Sequence, residues 1–168
     1  MIKLLLTTFA KKNNRNAVSF QHIALPMMDR LYRTAFLMTR DARTAEEVVF
    51  RTYATAYEQF HRLKHDTKVD LWMFRLLIST LSENSNKEAP EPTREFLVDP
   101  CFEAVRRLPE EYRDVVVLSD VSDLNHSEIS DLLGCSIGDV QARLLIGRRL
   151  LAQSLGTFTE HLADIFDT

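Results

Sequence analysis

Only two cysteines, Cys101 and Cys135, occur in the 168 residues, far apart and without a CxxC pair, which leaves neither a disulfide framework nor a zinc knuckle. Such usage fits a reducing cytoplasm. Four glycines and five prolines are too few for the frequent turns of a β-sandwich, and plentiful Leu, Ala, Glu and Arg favour helix. The formal charge is only −3 at pH 7. That argues against a protein that coats nucleic acid indiscriminately, because nonspecific affinity comes mainly from many cations neutralising phosphates. Long apolar runs are missing too. Met1 to Leu6 is shorter than the roughly 7 to 15 residues of a signal-peptide core, and Lys11, Lys12 and Arg15 follow it instead of preceding it. Nothing approaches the roughly 20 apolar residues of a membrane span. There is no HExxH pattern, glycine-rich phosphate loop or nucleophile elbow. His61 and His65, four apart, have no third ligand suggested nearby, and His22, His126 and His161 are scattered. The expectation is a soluble protein that is not an enzyme and requires no cofactor, metal or membrane insertion.

What the chain does have is helical periodicity. With 45% hydrophobic residues it can bury one medium core or two small ones. Residues 84–100, NSNKEAPEPTREFLVDP, hold three of the five prolines and no helical period, which marks a connector. The expected organisation is a basic N-terminal arm over 1–19, a helical domain over 20–84, a linker over 85–100, a second helical domain over 101–155, and a helical tail over 156–168. The arm, free of acidic residues, is expected to be a disordered terminus.

In the first domain three apolar stripes recur at helical spacing. They are Leu25, Met28, Leu31, Tyr32, Ala35 and Phe36; then Ala45, Val48, Val49, Thr52, Ala56 and Phe60; then Leu71, Phe74, Ile78 and Leu81, with Asp66 or Thr67 as N-cap. Three such helices can enclose one core. In the second domain Pro109 suits the first turn of a helix carrying Tyr112, Val115, Val116 and Leu118. Asp120 to Asp123 breaks it. Ser127 is a candidate N-cap for a short helix through Ile129, Leu132 and Leu133, which Gly134 ends in a left-handed conformation. A longer helix resumes near Ile137 with Val140, Leu144, Gly147 and Leu151 on one side.

A short helix, a turn containing glycine and a second helix with polar residues opposite its apolar stripe is the helix-turn-helix pattern. Ser136, Asp139, Gln141, Arg143, Arg148 and Arg149 lie on or near the outer side of that second helix. Arg and Gln can each bond two atoms of one base edge in the major groove. The same residues would also serve as the solvated face of a packed helix. The charge opposes DNA binding, since residues 101–155 carry nine acidic against six basic side chains.

The stretch LPEEYRDVVVLSDVSDLNHSEISDLLGCSIGDVQARLLIGRRLL, Leu108 to Leu151, resembles conserved region four of the bacterial sigma factors of extracytoplasmic-function (ECF) type, whose usual form is LPxxxRxVxxLxxxxGxSxxEIAxxLGxxxGTVKSRLxRARxxL. LYRTAFLMTRDARTAEEVVFRTYATAYEQF, Leu31 to Phe60, resembles the region-two form LYRxAxxxxGxxxDAEDLVQETFLRAWxxF, and LWMFRLLIST, Leu71 to Thr80, resembles WLYRIARN. The resemblance implies an all-α protein of two small domains, a region-two bundle of three to four helices and a region-four helix-turn-helix, joined by a short linker. It implies an alternative sigma factor that binds core RNA polymerase and directs it to promoters, catalysis staying with the polymerase. By similarity, Glu46, Glu47, Phe50, Arg51, Tyr53 and Tyr57, within the helix Thr44 to Phe60, would meet the polymerase clamp. Lys64, Lys68, Trp72, Arg75 and Ser79 would face the promoter −10 element, where cations and an aromatic ring suit single-strand capture. The outer residues from Ser136 to Arg149 would read the −35 element. An anti-sigma factor is the further partner implied.

Departures from the family pattern fall on these surfaces and spare the core. Phe50 and Arg51 stand where the family carries Gln and an acidic residue, so Arg51 inverts a charge that meets a basic polymerase surface. Ser79 and Thr80 replace an Arg-Asn pair. Asp139 and Gln141 replace Thr and Lys, and Leu145 and Ile146 occupy outer positions that are usually polar or basic. Each lost phosphate-contacting cation lowers the salt slope by about 0.9, so a weak −35 grip is expected. The alternative is a sigma-like binding module that has lost initiation and engages an anti-sigma factor or another regulator through Phe50, Leu145 and Ile146.

Overall fold

The computed structural model describes residues 15–64, 66–84 and 100–166, with side chains described within 20–64, 66–83 and 100–156. Among them every regular element is helical and none is a strand, in agreement with the all-α expectation. The chain divides into two compact units, Met1–Pro90 and Glu91–Thr168.

The first unit begins with α1 (Arg15–Ala24), so Arg15 to Ser19, expected in a disordered arm, are helical; the rest of that arm, 1–14, lies outside the described residues. Pro26 sits in a single 3-10 turn, Leu25–Met27, that leads into α2 (Met28–Thr39). Arg40 then ends α2 in the left-handed region, at φ 60°. The family pattern has glycine here, for which that conformation is unstrained. Asp41 caps α3 (Ala42–Gln59) by accepting 2.7 Å bonds from both the backbone N–H and the hydroxyl of Thr44, satisfying an end-of-helix donor. A 3-10 turn, Phe60–Arg62, leads toward α4 (Val69–Asn84). That helix starts beyond Asp66 and Thr67, the expected caps, and the Lys68 carbonyl accepts its first bond, from Trp72.

The core of this unit is Phe20, Leu31, Ala35, Leu37, Val48, Val49, Tyr53, Met73, Phe74 and Leu77, each at most 1% exposed. The stripes on α2 and α3 are largely those read from the sequence. On α4 they are not: Met73, Phe74, Leu77 and Thr80 are buried, whereas Leu71, Ile78 and Leu81 are half-buried. Residues 71–74 and 76–78 are all apolar, so the period there does not single out a face. Buried Thr52 and Thr80 bond the carbonyls four residues back, both at 2.8 Å, which gives each hydroxyl donor an acceptor within its own helix.

The second unit comprises α5 (Pro100–Arg107), α6 (Glu110–Val116), α7 (His126–Leu133) and α8 (Ile137–Phe166). Pro109 lies one residue before α6 at φ −53° and ψ 144° instead of inside its first turn. The expected break at Asp120 comes later, because α6 continues as a π turn, Val117–Val121. Buried Ser122 closes it, donating to the Val117 carbonyl from both its backbone and its hydroxyl. Val115 to Leu118, Ile129, Val140 and Leu144 form the core. Gly147 lets α8 approach α6 closely. A Cβ built there would stand 2.7 Å from a Val116 methyl and 3.3 Å from the Tyr112 carbonyl. The separate short C-terminal helix expected from the sequence is instead the continuation of α8, one helix of 30 residues.

Candidate nucleic-acid interface

In the second unit, α7, a tight turn and α8 form the helix-turn-helix. Asn125, not Ser127, is the cap of α7. Its side chain accepts from the Glu128 N–H at 3.0 Å while Glu128 accepts from the Asn125 N–H at 3.1 Å, a reciprocal capping box that satisfies two otherwise orphaned donors. Gly134 ends α7 at φ 65°, and the Ser130 hydroxyl donates to the Cys135 carbonyl at 2.6 Å, bracing the turn.

The start of α8 repeats the device. The Asp139 N–H donates to the Ser136 hydroxyl oxygen at 3.1 Å, and Asp139 accepts from the Ser136 N–H at 3.1 Å and from its hydroxyl at 2.7 Å. These bonds, with Arg143 adding attraction, hold the Asp139 carboxyl below its ordinary range. Both residues, expected to touch DNA, therefore cap the helix. Arg148 is also engaged within its own unit. Its Nε and Nη2 grip the two carboxylate oxygens of Asp120 at 3.1 and 2.5 Å, and Nη2 reaches the Ser119 hydroxyl at 3.3 Å. Burial raises the Asp120 carboxyl, but the bonds from Arg148 and Ser119 outweigh it and leave a net lowering. The geometry is bidentate, the strong form of an arginine–carboxylate pair.

Opposite the buried stripe Val140, Leu144 and Gly147, the most outward positions of α8 are Ala142, Leu145, Ile146 and Arg149, all exposed. Their spacing of three, four and seven residues sets them on one face. Leu145 is 73% and Ile146 42% exposed. Gln141, exposed, and Arg143, half-buried, flank this face. The sequence puts Arg143 and Arg148 in the reading set, and Leu145 and Ile146 at lost polar or basic positions or, in the alternative, on a surface for a regulator. The signal that distinguishes them is the i, i+3, i+4, i+7 spacing opposite the apolar stripe, which was legible without a structure.

In the first unit, Lys68, Trp72, Arg75 and Ser79 share one face of α4, and Lys64 precedes the helix. Trp72 is half-buried and the other four are exposed. On α3, Glu47 and Arg51 are exposed, and Glu46, Phe50 and Tyr57 half-buried. Arg51 stands 3.7 Å from Glu83 of α4. Tyr53 is a correction: it is wholly buried, and its hydroxyl donates to the Ala24 carbonyl at 2.7 Å. Burial pushes its phenol well above the ordinary value, so it ties α3 to the end of α1 and presents nothing to a partner. Tyr57 packs edge-on against Phe20, ring centres 5.4 Å apart. His61 accepts from Arg62 at 3.3 Å, His65 lies outside the described residues, and no group of metal-ligating side chains occurs among the described residues. No helix among them is long and apolar enough to cross a membrane.

A short helix, a glycine turn and a second helix capped in this way form the helix-turn-helix arrangement that many DNA-reading domains use, and comparison with known proteins points the same way. The family described as Sigma-70, region 4, matches residues 102–151. The ECF RNA polymerase sigma factor SigW of Bacillus subtilis is 21% identical over 174 residues, covering 86% of this chain and 92% of that protein. SigM of the same organism is 26% identical over 143 residues, covering 74% and 87%. Among solved structures, the sigma factor RpoE of Bartonella quintana, determined in complex with the anti-sigma factor NepR, superposes with a TM-score of 0.68 at 18% identity, covering 82% of this chain and 97% of that one. CnrH, determined in complex with the cytosolic domain of CnrY, gives 0.66 at 20% identity, covering 92% and 96%. The chain is thus similar to ECF sigma factors along most of its length, and its residues 102–151 match sigma-70 region 4.

Proposed function

We propose that this chain is an alternative sigma factor that works in the cytoplasm, binds core RNA polymerase through α3 and directs promoter recognition through α4 and α8, while catalysis stays with the polymerase. The observation that carries this reading is the helix-turn-helix of the second unit, capped at both helices and matched to sigma-70 region 4. The two-domain arrangement follows from the same family: a region-two bundle over 20–84 and a region-four unit over 101–155, the linker between them largely outside the described residues.

The polymerase face is assigned to Glu46, Glu47, Phe50, Arg51 and Tyr57, with Tyr53 supporting it from within. The −10 face is assigned to Lys64, Lys68, Trp72, Arg75 and Ser79. Because NepR and CnrY are bound to the two structural relatives, an anti-sigma factor is also a partner proposed for this chain. The relatives above are sigma factors, and none favours the binding-module alternative.

The direct test is co-purification with core polymerase. Wild type is expected to bind, and Glu47→Lys, which inverts an exposed charge on the docking helix, to bind at least tenfold more weakly, since like charges across an interface cost several kcal/mol. Failure of the wild-type chain to bind core would overturn the reading.

A further inference from the structure

The centre of the DNA-facing side of α8 is apolar, and that feature bears on which sequence it selects. In the major groove thymine displays a C5-methyl group, against which small apolar side chains pack, and adenine offers the N6/N7 pair that Gln bonds in bidentate fashion; guanine is read by Arg or Lys. Ala142, Leu145 and Ile146 form a continuous exposed apolar stripe, with Gln141 beside it. The cations that could read guanine are displaced from that centre: Arg148 is bound to Asp120 and Ser119, Arg143 is half-buried on the flank, and Arg149 lies at the C-terminal end of the stripe. Resting on the sigma-factor reading above, we propose that Ala142, Leu145 and Ile146 pack against thymine methyl groups and Gln141 pairs with adenine, so that the −35 element this chain selects is rich in A·T pairs.

Solvent exposure of Leu145 in the free protein follows from this role. Its cover is the DNA, and no protein surface is required. The stripe also explains how a unit with an acidic excess selects sequence at all, because apolar contacts to methyl groups do not depend on local positive charge.

The test selects −35 sequences from random duplexes with the holoenzyme assembled on core polymerase, then replaces each selected thymine by uracil, which removes only the methyl. Selected elements are expected to be A·T-rich, and each contacted thymine to lose about fourfold in affinity on replacement, the transfer value of one buried carbon. Leu145→Gln and Ile146→Gln, exposed changes that spare the core, are expected to abolish the thymine-to-uracil difference while core polymerase binding stays unchanged. Ile146→Arg is expected to introduce a guanine preference. G·C-rich selected elements, or indifference to uracil, would overturn the proposal and leave the sigma-factor reading standing. Weakened core binding by the Gln variants would place the stripe against protein and overturn it too. No enrichment of any sequence by an assembled holoenzyme would overturn promoter reading itself, and the proposal with it.

Discussion

The two units differ in how deeply they bury arginine. In the first, Arg33, Arg40, Arg43, Arg51, Arg62 and Arg75 are exposed, half-buried Arg30 lies over the Phe74 ring and pairs with Asp70 at 2.9 Å, and large apolar side chains such as Phe20, Leu31, Tyr53 and Phe74 fill the core. In the second, Arg106 and Arg113 are 8% and 4% exposed, within 3.5 Å of Glu103 and Asp114 respectively, and Arg148 is clamped to Asp120. Short helices with valine-rich faces leave gaps that long arginine stems fill. A basic residue on the helix-turn-helix therefore cannot be counted as a DNA contact from sequence alone, whereas on the bundle most arginines are at the surface and Arg30 is the exception among those described.

The largest expected effect tests the tight packing that the second unit relies on. Gly147→Leu is expected to destabilise it by about 2–3 kcal/mol through overpacking against Val116 and Tyr112, measured by urea unfolding followed by circular dichroism. A negligible change would mean that α6 and α8 are not so close. The first unit offers the counterpart at Tyr53. Removing its hydroxyl in Tyr53→Phe leaves the Ala24 carbonyl without its partner and is expected to cost about 1–2 kcal/mol, with no specific loss of core polymerase binding. A binding defect without a stability defect would return Tyr53 to the interface.

The buried charge of the second unit makes its stability pH-dependent. Burial pushes the Asp114 carboxyl up from 3.8 to about 6, with Arg113 opposing and Glu110 adding to the rise. A folded-state value above the unfolded one means that the native protein holds the proton more tightly, so stability falls as pH rises through this range. Between pH 5 and 7.5 the wild type is expected to lose about 1 kcal/mol relative to Asp114→Asn. Equal slopes for the two proteins would show that Asp114 is hydrated. The smallest effects separate Arg148 from Arg149. Arg148→Ala is expected to cost about 0.5–1 kcal/mol of stability, as for a well-formed surface pair, and to leave the salt slope of promoter binding unchanged. Arg149→Ala is expected to leave stability unchanged and to lower that slope by about 0.9 if it neutralises one phosphate.

Much of the fold was legible in the sequence because α2, α3 and the helix-turn-helix alternate apolar and polar positions cleanly, and Gly134 marks the turn. The register of α4 was not, since residues 71–74 and 76–78 are all apolar and run round the helix. Tyr53 was misplaced because a family position says where a helix docks but not which of its faces points inward, and Tyr57, one turn later, is half-exposed. At α8 the polar residues drew attention by type. The hydrogen bonds that occupy Ser136, Asp139 and Arg148 come from backbone geometry and from Asp120, 28 residues away in sequence, which no local pattern reveals.

The most direct measurement of the central claim is transcription reconstituted from purified core RNA polymerase, this chain and genomic DNA, with transcript starts mapped. The expected result is a set of specific starts that depend on the chain, weakened by Arg149→Ala and retained by Arg148→Ala once that variant is shown to be folded. A chain that binds core polymerase yet yields no specific start would contradict it.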